Sequence, residues 1–156
     1  MKIKLIMIGK PTGDLYIDAI DDYTNRIKHY NNFSIHVIPG LKNTKKLSQE
    51  QQKQAEGELI LKELTAQDTV ILLDERGKEY RSMEFAKWLE NKQLTAQNIV
   101  FVIGGPYGFS DSIYKRANEK ISLSKMTFSH QMVRLIFVEQ LYRACTIIKG
   151  ESYHHE

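Results

Sequence analysis

The chain reads as an α/β domain built on a mostly parallel sheet with helices on both faces. Three observations predict this. Strand-like and helix-like segments alternate from end to end. Two strand-like runs, residues 69–73 and 99–103, are apolar without alternation, as strands covered on both faces are. The 156 residues hold no repeat, linker or low-complexity stretch, so residues 1–156 are expected to form a single domain with a sizeable core.

Taken in order, residues 2–8 are rich in Ile, Leu and Met and stop at Gly9, which predicts a first strand. Residues 14–30 place Leu15, Ile17, Ala19, Ile20, Tyr23 and Ile27 at roughly helical spacing. Phe33, Ile35 and Val37 alternate with polar neighbours before Pro39-Gly40, a second strand. Residues 42–46 form a basic loop. Ser48 and Gln51 then make a capping box for a polar helix to about Leu64. Residues 69–73 are the third strand, and Asp74 to Glu79 are expected to be a solvated turn. Ser82 is expected to cap a helix with Phe85, Trp88 and Leu89 on its inner face. Residues 99–103 are the fourth strand. Ser110 and Asp111 start a short helix to about Glu119, and residues 121–123 are a short fifth strand. A helix from about Ser129 to Lys149 ends the fold. Its apolar residues cover more than one stripe, which predicts burial on several sides and a subunit interface.

Composition narrows the classes. The formal net charge of +3 tolerates a polyanionic partner without demanding one. A single cysteine, Cys145, rules out an internal disulfide and fits a cytoplasmic protein. Its place in an apolar helix predicts a buried, inert thiol. No stretch is long and apolar enough to span a bilayer, so no membrane anchor is expected.

Residues able to carry chemistry gather in the last third. A glycine turn, Gly104-Gly105-Pro106-Tyr107-Gly108, follows the buried fourth strand. Ligands of open α/β sheets sit at such carboxyl ends, and glycine lets the backbone approach them. The spacing is not Gly-x-Gly-x-x-Gly and no Walker lysine is present, so a dinucleotide oxidoreductase is a distant reading. None of the histidines, His29, His36, His130, His154 and His155, shows a zinc-ligand pattern. Arg134 and Arg143 lie within an otherwise apolar helix with Glu139 nearby, and arginine is suited to binding phosphate.

These residues carry a resemblance. Ile103-Gly104-Gly105-Pro106-x-Gly108 comes first, then Leu123-Ser124-Lys125-Met126-Thr127-Phe128-x-His130-Gln131-x-x-Arg134. Glu139-Gln140-Leu141-Tyr142-Arg143-Ala144 and Gly150-Glu151-x-Tyr153-His154 complete the set, with Ile8-Gly9-Lys10 and Leu73-Asp74-x-x-Gly77-Lys78 upstream. The ordered set resembles the RlmH (YbeA) family of SPOUT-class ribosomal large subunit pseudouridine methyltransferases. The resemblance implies a C-terminal trefoil knot, a homodimer and S-adenosylmethionine as methyl donor. It implies methylation at N3 of pseudouridine 1915 in helix 69 of 23S rRNA; the small net charge adds the expectation that a dimer and an assembled ribosome as substrate enlarge the surface that grips RNA. It also implies cofactor contacts at Leu73, Gly104, Leu123, Ser124, Lys125, Met126, Thr127 and Phe128. Two departures stand out: Ser129 where the family usually has proline, and His155 where it usually has a basic residue. Serine can cap the helix that proline would begin.

A sulfonium methyl is already activated, so the chemistry asks for positioning and for loss of the imide proton, not for a metal. A histidine, with an unperturbed pKa of about 6.5, can serve as base near neutral pH; His154 is expected to accept or relay the proton, and Tyr153 to hold it. Arg143 and Glu139 are expected to act with them at the catalytic centre, and Arg134 and His130 to bind the substrate; Arg134 and Arg143 are expected to anchor phosphate or a bound carboxylate, with Glu139 orienting one of them. Two competitors remain: a SPOUT methyltransferase acting on another RNA such as tRNA, and a non-catalytic RNA- or ribosome-binding module.

Overall fold

The computed structural model describes residues 2–156. Its strands are β1 (Lys2–Ile8), β2 (Asn32–Ile38), β3 (Asp68–Glu79), β4 (Asn98–Ile103) and β5 (Glu119–Ser122). Its helices are α1 (Asp14–Lys28), α2 (Gln49–Lys62), α3 (Ser82–Thr95), α4 (Asp111–Arg116) and α5 (His130–Ile148). The strands form one sheet in the order β2-β1-β4-β3-β5, and all four pairings are parallel.

The sheet is buried on both faces, which explains the apolar runs. Ile3, Leu5, Met7, Ile99, Phe101 and Ile103 point to one side, where Phe85, Leu89, Phe137 and Leu141 of α3 and α5 meet them. Ile6, Ile8, Val70, Leu72, Val100 and Val102 point to the other, against Ile60 of α2 and Ile113 of α4. Burying each such side chain contributes about 1.5–3 kcal/mol, so neither face could be left to solvent.

The capping box at Ser48 and Gln51 is present: each residue's side chain accepts the other's backbone N–H, at 3.1 and 2.9 Å. Ser129 caps α5 by accepting the Met132 N–H at 3.3 Å. Four local expectations are corrected. Ser82 is the first residue of α3, not its cap, and its hydroxyl donates to Gln140 of α5 at 2.8 Å. Glu84 instead accepts the N–H of Arg81, the residue at the cap position, at 2.7 Å. The third strand does not stop at Leu73 but runs to Glu79. Ile121 of β5 pairs with both Leu73 and Lys78 around a register break, so residues 74–79 are not simply a solvated turn. Gly77 is required there, because an added Cβ would lie 2.6 Å from the Ile121 nitrogen. The short helix α4 ends at Arg116, not near Glu119. Asn118 already bonds Val70 through its backbone N–H at 2.9 Å and its side-chain oxygen at 2.7 Å, drawing the chain into the sheet. The fifth strand accordingly begins at Glu119 and ends at Ser122 rather than spanning residues 121–123.

Helix α5 packs between α1 and α3. Phe137, Val138, Leu141, Ala144 and Cys145 are buried, while Leu135, Ile136, Tyr142, Ile147 and Ile148 are half-buried and Met132 is exposed. Burial pushes the Cys145 thiol up to about 11, although the Asn31 amide donates to its sulfur at 3.2 Å. The expected inert thiol follows. Among the described residues no helix is long and apolar enough to cross a membrane, and no three His, Cys, Asp or Glu residues are grouped as a metal site.

Candidate active site

Strands β3 and β4 lie side by side with Leu73 opposite Ile103, so their carboxyl ends deliver Asp74 and Gly104 next to each other. Strand β5, on the other side of β3, brings residues 123–128 to the same end. Two local bonds shape that segment. The Ser122 hydroxyl donates to the Ser124 carbonyl at 2.9 Å, and Ser124 Oγ accepts the Met126 N–H at 3.0 Å.

A cleft of about 350 Å³ opens between these loops. Leu73, Gly104, Leu123, Ser124, Met126, Thr127 and Phe128 line it, and so does His130 at the start of α5. Its volume and its mixture of apolar side chains and glycine backbone suit a small-molecule ligand. Lys125 does not line the cleft: its side chain is 86 % exposed and its ammonium lies 3.7 Å from Glu79. The sequence reading missed Asp74, Arg76, Tyr107, Phe109, Tyr114 and Val133, which also line it. The Tyr114 hydroxyl donates to Asp74, whose other oxygen accepts the Arg76 N–H at 2.8 Å. Burial, and then the bond to Asp74, push the Tyr114 phenol up to about 12. The strand-end position of Asp74 was a usable signal. Nothing in the helix pattern around Tyr114 distinguished it.

Arg134 is buried, with its Nη2 donating to the Ile8 carbonyl at 2.7 Å and its Nε and Nη1 without partners. Burial lowers its pKa from the usual guanidinium range. His130 is also pulled down, first by burial and then by the charge of Arg134. His130 lines the cleft and feels the charge of Arg134, which itself presents no N–H to the surface.

The other four expected residues meet at the C-terminal tail. Glu139 accepts from Arg143 one helical turn on, and from the Tyr153 hydroxyl at 3.3 Å. Arg143 lies over the Tyr153 ring, 4.8 Å from its centroid, and its Nη1 approaches His154 Nδ1 at 3.1 Å. A guanidinium only donates, so Nδ1 is the acceptor and the imidazole proton sits on Nε2. That Nε2–H is buried without a partner, with Glu156 at 4.0 Å. In this geometry the His154 lone pair is held by Arg143, and the ring offers a donor rather than a base. The Glu139 bond raises the Arg143 pKa and keeps the guanidinium charged. Burial and the bond to Tyr23 push the Tyr153 phenol up, so it stays protonated.

His154 and Glu156 line a second groove of about 400 Å³, together with Tyr80, Phe85, Ile136 and Gln140. Leu123 lines both the groove and the cleft, so the two sites adjoin.

Comparison with known proteins agrees with this arrangement. Residues 1–154 match the family model described as "Predicted SPOUT methyltransferase". A protein of Phocaeicola vulgatus named "Ribosomal RNA large subunit methyltransferase H" is 62% identical over 157 residues, covering 100% of both chains. Proteins of the same name from Bacteroides fragilis and Flavobacterium johnsoniae are 60% and 55% identical, again over 100% of both chains. With the parallel sheet, the glycine-walled cleft and the full-length match in agreement, the chain belongs to the SPOUT methyltransferase family.

Proposed function

We propose that this protein methylates a pseudouridine of the large-subunit ribosomal RNA, at N3 of position 1915 in helix 69 of 23S rRNA, with S-adenosylmethionine as donor. The observation that carries the reading is the juxtaposition of a ligand-sized cleft with a groove holding the tail cluster, the two sharing Leu123. A methyl transfer needs donor and acceptor sites that touch. The names of the full-length relatives supply the substrate class.

Bound in the cleft, S-adenosylmethionine would supply a methyl group already activated by its sulfonium. Leu73, the 104–108 turn and residues 123–128 would hold it, largely through backbone and apolar contact. The tail cluster would handle the imide. The unpartnered Nε2–H of His154 needs an acceptor, and the carbonyls flanking an imide N3 provide one. Donation there stabilises the negative charge that grows as the N3 proton leaves to solvent. Arg143 holds His154 in the donating tautomer, while Glu139 and Tyr153 hold Arg143. His154 can accept the proton itself only if Arg143 first leaves Nδ1.

The expected trefoil knot and homodimer belong to the same proposal. Membership of the SPOUT family supports the first. Exposed Leu15, Ile17 and Met132, beside the half-buried apolar residues of α5, support the second. Mass spectrometry of rRNA from a strain lacking the protein, before and after complementation, tests the substrate. A pseudouridine methyl that is absent in the first sample and restored in the second is expected. Methyl incorporation into bulk tRNA instead of ribosomes would redirect the assignment.

A further inference from the structure

Helix α2 carries a buried carboxylate, Glu56, which is 3 % exposed and lies outside the machinery above. Its Oε2 accepts the Gln52 amide at 3.3 Å, and its Oε1 has no partner. The carboxyl faces the back of the glycine turn: a Cβ added to Gly105 would lie 2.4 Å from both oxygens. The next residue repeats the contact, since a Cβ on Gly57 would lie 2.5 Å from Ser110 Oγ at the far end of the same loop. So α2 presses on the loop at two points, and one of them is polar and unsatisfied.

We propose that Glu56 is a positioning residue for the methyl-donor cleft, holding the 104–108 turn from behind and gaining its missing hydrogen bond when the turn closes on the donor. The inference rests on the reading that the cleft takes S-adenosylmethionine. A buried polar group without a partner is costly, so a closure that satisfies it adds to ligand affinity. Among the described residues no cation pairs with it and the Gln52 amide is its only polar partner, so what it can offer the turn is a hydrogen bond rather than an ion pair; burial also pushes the carboxyl up from the usual carboxylate range. An amide of the same shape should therefore replace it, and an apolar side chain should not.

The test compares the wild type with Glu56→Gln and Glu56→Leu, the leucine filling the site without polarity so that the fold is kept. Calorimetry with S-adenosylmethionine and with S-adenosylhomocysteine gives affinity apart from turnover. Glu56→Leu should bind both about tenfold more weakly and raise the donor KM without changing the KM for ribosomes, whereas Glu56→Gln should stay within about twofold of the wild type. The Gly105 amide resonance should shift on ligand binding in the wild type and Glu56→Gln, and much less in Glu56→Leu. Equal affinity of Glu56→Leu and wild type overturns the proposal, as does Glu56→Gln binding no better than Glu56→Leu. A wild type that binds neither nucleoside overturns the cofactor reading as well.

Discussion

The cleft and the tail cluster adjoin at Leu123 but are made of different material. The cleft is shaped by two backbone segments, a glycine turn after β4 and the 123–128 segment after β5, with side chains such as Leu73, Tyr114 and Val133 among its lining. The tail cluster is made of side chains, Glu139, Arg143, Tyr153 and His154, tied by charge-assisted and aromatic contacts. A backbone wall is sensitive to any added atom. A side-chain cluster is sensitive to the loss of one hydrogen-bonding group. On the proposed reading, the first governs whether a ligand fits, and the second governs how charge is handled once it is there.

The largest test of that contrast adds atoms to the wall. Gly105→Val places branches where even a Cβ would lie 2.4 Å from Glu56. Donor binding by calorimetry should fall at least about 100-fold, as expected where a shift of about 1 Å misplaces a site. Wild-type affinity in this variant would show that the turn does not wall the site.

Next comes removal of a group from the cluster. Arg143→Ala frees the His154 lone pair and strips Glu139 of its cation. Single-turnover methylation at saturating RNA should drop by about 10²-fold, the scale of losing one oriented charge-stabilising contact, with donor affinity within about twofold. His154→Ala should lose a similar factor, and wild-type turnover in that variant would remove His154 from the chemistry. A parallel loss of donor affinity in Arg143→Ala would mean that the two regions are one site.

The pH response should separate the regions further. Tyr114 has its phenol raised from about 10 to about 12. A raised folded-state value means that its contribution is complete below about pH 10 and is lost as pH rises through about 12. Spectrophotometric titration should therefore show late-ionising tyrosines, Tyr30 at about 12 among them, and Tyr114→Phe should remove one tyrosine's worth of that late absorbance change. That variant should lose about 1 kcal/mol at neutral pH, the usual worth of one hydrogen bond. His130 has the opposite sense: its lowered value means that stability present above about pH 6.5 is lost on acidification, and His130→Gln should flatten the acid limb.

The smallest effect is expected at the departure from the family pattern. Ser129→Pro loses the bond to Met132 but suits the observed φ of −63°, so the unfolding free energy from chemical denaturation should change by less than about 1 kcal/mol.

Much of this molecule was legible in the chain. The apolar runs at 69–73 and 99–103 announced strands buried on both faces, and the glycine turn announced a ligand end of the sheet. The motif from Leu123 to Phe128 named most of one wall of the cleft. Legibility failed where a residue's partner is distant in sequence. Ser82 had the composition of a cap, yet Gln140 claimed its hydroxyl. Asp74 and Tyr114, 40 residues apart, had no shared signal before the fold joined them. Arg134 was expected to face phosphate, but its guanidinium holds the Ile8 carbonyl, 126 residues away.

By itself, then, the sequence determined the order of elements and the two-faced sheet, and it drew most of the candidate site residues from the last third. Those properties follow from periodicity, glycine and local capping, which act over a few residues. Only the tertiary structure decided the tautomer of His154, the burial of Arg134 and the contact of Glu56 with the glycine turn. Each depends on which groups are brought within about 3 Å by packing, and hydrogen-bond energy falls away steeply beyond that distance.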